Sequence, residues 1–119
     1  MLKTIKIGTN IVKAKMLNQR KPLSVTFDFT TKCNLKCGYC YNPERNNPEF
    51  TTEQMLKLIE EFAHAGAQRL GLVGGEPLLR KDIDLLISKA KDNKMFVSIT
   101  TNGAYIREKI AALKNLDIV

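Results

Sequence analysis

This chain predicts an α/β protein with parallel strands, part of a barrel or of an open sheet. Three observations carry that prediction. Residues 23–30 alternate strictly, with Leu23, Val25, Phe27 and Phe29 on one face and Ser24, Thr26, Asp28 and Thr30 on the other. Stripes of apolar residues at helical spacing follow, separated by two further short apolar segments. The resulting order, β-loop-α-β-α-β-α-β, is that of parallel strands joined by helical crossovers.

The elements follow in order. Before the first strand, residues 7–21 suit a short basic amphipathic helix with Ile7, Ile11, Ala14 and Leu17 on one side. It would cover one end of the sheet or, as a sharper alternative, lie on a membrane surface. After the first strand, a loop holding all the cysteines runs to Pro43, Asn46, Asn47 and Pro48, which break regular structure. Thr51 with Gln54 starts a capping box, and Met55, Leu58, Ile59 and Phe62 form the stripe of a helix that stops at Gly66. Residues 70–73 form a strand that enters Gly74-Gly75-Glu76-Pro77. Asp82 suits the cap of a helix carrying Ile83, Leu86, Ile87 and Ala90. Residues 95–101 form a third strand, Ile106, Ile110 and Leu113 a third helix, and residues 116–119 begin a fourth strand. Met16, Met55 and Met95 read as core, and Tyr41 and Phe50 as loop anchors. Parallel strands are usually apolar on both faces. The polar faces of the first strand and of the third (Ser98, Thr100, Asn102) instead suit an interior that holds a polar ligand.

Composition narrows the function classes. The 119 residues are 44% hydrophobic and 26% charged, the balance of one globular domain and not of a disordered or repetitive chain. No apolar run approaches the roughly 20 residues of a membrane span, and residues 1–21 contain no apolar signal-peptide core. The net charge of +7 arises wholly in residues 1–41, which hold eight Lys or Arg against Asp28 alone. Such a field suits an anionic partner, yet nucleic acid is not expected, because neither a binding motif nor interleaved aromatics accompany it.

The chemistry lies in Cys33-Asn34-Leu35-Lys36-Cys37-Gly38-Tyr39-Cys40. Three thiols within eight residues, just beyond a strand's C-terminal end, sit where α/β folds place their sites. This spacing lets one loop ligate three irons of a cubane, and with no fourth cysteine one iron stays open. Two other readings compete. Zinc could take His64 as fourth ligand, but His64 shares a helix face with Lys57, Glu60 and Glu61. A plain electron-transfer ferredoxin would bring four cysteines per cluster.

Cys33-x-x-x-Cys37-x-Tyr39-Cys40 resembles the cluster motif of the radical S-adenosylmethionine (SAM) enzymes. Gly74-Gly75-Glu76-Pro77 resembles the family's Gly-Gly-Glu-Pro motif. Thr100-Thr101-Asn102-Gly103 is similar to a segment of the branch that includes molybdenum-cofactor, nitrogenase-cofactor and pyrroloquinoline-quinone enzymes. The resemblance covers about residues 22–119 and implies the N-terminal portion of a partial (βα)6 TIM-like barrel, with residues 1–22 as a separate basic segment. It implies a [4Fe-4S] cluster on Cys33, Cys37 and Cys40, and SAM chelating the open iron. Tyr39 would pack near the adenine, Gly74 and Gly75 would admit the methionine end, and Glu76 would accept from its ammonium. Thr101 and Asn102 would line the same rim, with Thr100 beside them. One electron would cleave the sulfonium to methionine and a 5′-deoxyadenosyl radical, which takes hydrogen from a substrate: an oxidoreductase-type chemistry. An acidic donor such as a flavodoxin or ferredoxin would supply the electron, and an oxygen-sensitive cluster implies a reducing, cytoplasmic setting. Against the family's six units, the chain stops within the apparent fourth strand. It therefore reads as the N-terminal half of a radical enzyme, inactive alone, or as a cluster-binding remnant without turnover.

Overall fold

The computed structural model describes residues 2–41 and 47–119, with the backbone alone for residues 2–4 and 6. Pro43 and Asn46, read above as breakers, lie outside the described residues. Three parallel strands, β1 (Ser24–Thr30), β2 (Arg69–Gly74) and β3 (Phe96–Ile99), form a sheet in that order. Helices α2 (Thr52–His64), α3 (Ile83–Asp92) and α4 (Ile106–Leu113) connect or follow them, and α1 (Leu2–Met16) precedes them. The α/β reading holds: this is a βα-repeat sheet of the kind that closes into a barrel.

Local chemistry accounts for most boundaries. Thr51 accepts from the Gln54 amide at 3.2 Å while the Gln54 side chain accepts from Thr51 N–H at 2.9 Å, so the capping box is complete. The chain leaves α2 through Gly66 at φ +102°, a conformation side chains resist. Helix α3 buries all four residues of its stripe, Ile83, Leu86, Ile87 and Ala90, against Leu70, Leu72, Met95 and Val97. Met55, Ile59 and Phe29 complete that core beneath α2. Burying each such side chain contributes on the order of 1.5–3 kcal/mol.

Six sequence expectations need correction. Helix α1 spans Leu2–Met16 and not 7–21, and Met16 is 81% exposed instead of core. Asp82 sits at the α3 cap position but makes no capping bond, because Arg80 and Thr52 occupy its carboxylate. In α4, Ile110 faces solvent, and Ala112 joins Leu113 in the buried stripe. Residues 95–101 supply only a four-residue strand, Phe96–Ile99. Residues 116–119 make a single parallel bridge, Ser98 with Ile118, and not a strand. The Asp117 carboxylate takes the Val97 N–H at 2.8 Å, the donor that a fourth strand's carbonyl would otherwise bond.

Candidate functional site

The C-terminal ends of the three strands meet at one rim. Strand β1 leads through Thr31 and Lys32 directly into Cys33, and the exit of β2 is bonded to that lead-in. Gly75 N–H donates to the Thr30 carbonyl and Glu76 N–H to the Lys32 carbonyl, each at 2.8 Å. This approach is too close for side chains. A Cβ on Gly75 would lie 2.2 Å from the Lys32 oxygen, and one on Gly74 (φ +128°) 2.3 Å from the Thr30 oxygen. The glycine pair is therefore what lets the second strand's loop lie against the base of the cysteine loop.

Glu76 holds the third strand's loop to the same place. It is fully buried, and its carboxylate collects three donors: Leu78 N–H at 3.0 Å, Thr101 Oγ1 at 2.8 Å and Asn102 N–H at 2.8 Å. The sequence reading turned this carboxylate outward to an ammonium; here it faces inward, to partners two and about 25 residues downstream in the chain. Asn102 continues the connection, its Nδ2 donating to Asn34 Oδ1 at 2.8 Å inside the cysteine motif. Thr100 is exposed beside it. Glu76, Thr101, Asn102 and Asn34 thus form one chain of hydrogen bonds from β2 across β3 to the cysteines.

Cys33, Cys37 and Cys40 are partly buried, with no disulfide between them. Cys40 N–H donates to the Cys37 carbonyl at 3.1 Å, which curls the loop's end, and Leu35 N–H donates to Cys33 Sγ at 3.4 Å. Among the described residues, no three Cys, His, Asp or Glu side chains are gathered at metal-ligand spacing. The donor set nonetheless fits an iron–sulfur cluster: three soft thiols on one short loop, one sulfur already receiving a backbone N–H, with the glycine pair packed against the loop's lead-in. Tyr39 projects from this loop, 92% exposed, and His64 lies on the exposed face of α2, away from the thiols.

Supports that the sequence reading missed lie beneath the rim. Arg80, nearly buried, donates to the Phe29 carbonyl at 3.0 Å and forks onto Asp82 at 2.7 and 2.8 Å. Burial pushes the Asp82 carboxyl up, but bonds from Arg80 and Thr52 outweigh it and hold it below the ordinary aspartate range. Glu49 behaves alike: burial raises it, while the Thr30 hydroxyl, Lys32 and the Thr31 amide together lower it further. Tyr41, read as an anchor, donates to Asp28 at 2.9 Å, and burial followed by this bond pushes its phenol up. Phe50 packs on Phe27 with ring centroids 6.1 Å apart. No signal in the sequence separates Arg80 from an ordinary surface arginine, whereas Asn34 could have been noticed from its place between two cysteines.

Comparison with known proteins fits this geometry. The sequence model of the Radical SAM superfamily matches residues 27–119. The chain is 40% identical over 98 residues to a GTP 3′,8-cyclase of Limosilactobacillus fermentum, covering 76% of this chain and 29% of that protein. It is 37% identical over 90 residues to a PqqA peptide cyclase of Granulibacter bethesdensis, covering 73% and 24%. Among solved structures, SuiB of Streptococcus suis bound to S-adenosylmethionine superposes with a TM-score of 0.70 at 25% identity, covering 91% of this chain and 26% of SuiB. The chain thus spans about a quarter of the length of these relatives. No described helix is long and apolar enough to cross a membrane.

Proposed function

The chain belongs to the radical SAM superfamily, and on that footing we propose that its rim binds a [4Fe-4S] cluster and SAM as the cofactor half of a radical enzyme. The observation that carries this reading is the direct bonding of Gly75 and Glu76 to residues 30–32, which ties the exit of β2 to the lead-in of the cysteine loop. Cys33, Cys37 and Cys40 hold the cluster, and the backbone at Gly74 and Gly75 meets the methionine end. The exposed Tyr39 ring lies against the adenine. Glu76, with Thr101 and Asn102, acts from behind as a positioning group, because its carboxylate already serves three donors. Residues 23–119 form the core and residues 1–22 a basic segment apart from it. Bound there, cluster and SAM supply one-electron cleavage of the sulfonium and hydrogen abstraction from substrate. The electron comes from an acidic donor in a reducing, cytoplasmic setting. Lys32 and Lys36, exposed at the rim, suit such a donor by charge.

The substrate is a different matter. A GTP cyclase and a peptide cyclase match this segment about equally well, so what it shares with both is the handling of the cofactor. Anaerobic reconstitution with iron and sulfide should load about four irons per chain, and Cys37→Ala should abolish this. With dithionite and SAM, a full-length enzyme that contains this segment should release 5′-deoxyadenosine. Uptake of stoichiometric zinc without sulfide overturns the cluster. A loaded cluster that never yields 5′-deoxyadenosine leaves a binding remnant without turnover.

A further inference from the structure

The basic charge of the chain falls into two sets at opposite ends of the sheet. Lys32 and Lys36 lie at the cysteine rim, whereas α1 lies near Ala67, Gln68 and Phe96, where β2 and β3 begin. The seven residues of β1, at about 3.3 Å each, separate the two ends by roughly 20 Å. An electron donor seated on α1 would therefore be remote from the thiols, and the α1 charges need another explanation.

Helix α1 has apolar residues on two sides. Ile7 and Ala14 are partly buried toward the sheet, so folding accounts for them. Ile5, Val12 and Met16 lie on the other side, spaced seven and eleven residues from Ile5, and are 57%, 58% and 81% exposed. Val12 and Met16, with Gly8, Thr9, Lys13 and Leu17, line a shallow, almost wholly apolar groove, and Ile5 lies one helical turn before it. Thr9, in the middle of the stripe, donates its hydroxyl to the Ile5 carbonyl at 2.8 Å, so its polar hydrogen is spent within the helix. Lys13 and Lys15 flank the stripe on either side, and residues 1–27 hold six Lys or Arg and no acid.

We propose that α1 is an interfacial helix that seats the protein on an anionic lipid surface. Ile5, Val12 and Met16 enter the acyl boundary, Lys13 and Lys15 meet the headgroups, and the cysteine rim faces away from the bilayer. An apolar stripe bounded by lysines is what such a surface requires. A second copy of the chain is disfavoured as occupant, because it would set one acid-free basic helix against another. The orientation leaves the rim open to a soluble electron donor.

Co-sedimentation with phosphatidylcholine vesicles containing half phosphatidylglycerol tests this, against pure phosphatidylcholine, at low and at 0.5 M salt. Binding to the anionic vesicles should be at least tenfold tighter and should fall with salt. Val12→Asp with Met16→Asp should lower it at least tenfold, as should Lys13→Glu with Lys15→Glu. Both pairs are exposed, and unchanged circular dichroism would confirm that the fold survives. Equal binding to both vesicles, or none to the anionic ones, overturns the proposal. A concentration-dependent dimer that Met16→Asp dissolves, without vesicle binding, assigns the stripe to a second copy and overturns it as well.

Discussion

The rim at the C-terminal ends of the strands and the helix at their N-terminal ends are built on opposite terms. At the rim, Glu76 is fully buried and holds three donors, and two glycines stand where a Cβ would come within 2.3 Å of a carbonyl. On α1, Ile5, Val12 and Met16 stand in solvent with their apolar surface uncovered. The first arrangement fixes positions to tenths of an ångström, which a cofactor site requires. The second adds little to the stability of the domain. The contrast is a statement about where substitutions should matter, and it can be broken.

The largest effect is expected at Gly75. Alanine there must move the Lys32 carbonyl, and overpacking against backbone typically costs about 1–3 kcal/mol, so we expect about 3 kcal/mol in urea unfolding. A cost under about 0.5 kcal/mol would mean that the rim yields freely and that the contrast with α1 is false.

Glu76→Gln comes next. One oxygen becomes an NH2 group, which cannot accept from the Asn102 N–H or from Leu78 and Thr101 on the other side, depending on the flip. Loss of a bond to a charged acceptor costs about 1.5–3 kcal/mol, and we expect about 2. Amide exchange should rise with it at Asn102, or at Leu78 where the side-chain amide takes the other flip. Unchanged exchange at both would show that Glu76 does not hold these loops.

Beneath the rim, Asp82→Asn should cost about 1 kcal/mol at pH 7. The Asp82 carboxyl is held below its unfolded value, so its contribution is present above that value and is lost as pH falls through the folded one. The gap between wild type and Asp82→Asn in denaturant midpoint should therefore be full at pH 7 and narrow below about pH 4. A gap that is the same at pH 3 and pH 7 would mean that the Arg80 fork contributes nothing through its charge.

These supports also mark how far the sequence could be read. Periodic features survived into the structure: the α3 stripe from Ile83 to Ala90, the Thr51–Gln54 capping box, and the placement of three motifs after three successive strands. Each is local, decided within a few residues. The inward turn of Glu76 was not legible, because two of its partners arrive about 25 residues later. Asp82 looked like a cap for the same reason. Its competitors are Arg80, two residues back, and Thr52, thirty residues away. Residues 116–119 read as a strand by composition, but the Asp117 carboxylate takes the Val97 N–H, and pairing with β3 is limited to the bridge between Ser98 and Ile118. The start of α1 was not legible either, because no acid in its first turn and no capping residue type before Leu2 marks it.

The smallest effect belongs to the other end. Met16 is 81% exposed, so Met16→Ala removes almost no contact on folding. Surface substitutions of this kind stay within about 0.5 kcal/mol, and alanine's helix propensity offsets part of even that. Urea midpoints for Met16→Ala and wild type should therefore coincide, while Gly75→Ala shifts far. A Met16→Ala cost approaching 2 kcal/mol, well above the surface range, would mean that the stripe of α1 is covered in the folded protein. The contrast between the two ends would then fail, because α1 would be part of the packed structure and not a helix with an uncovered face.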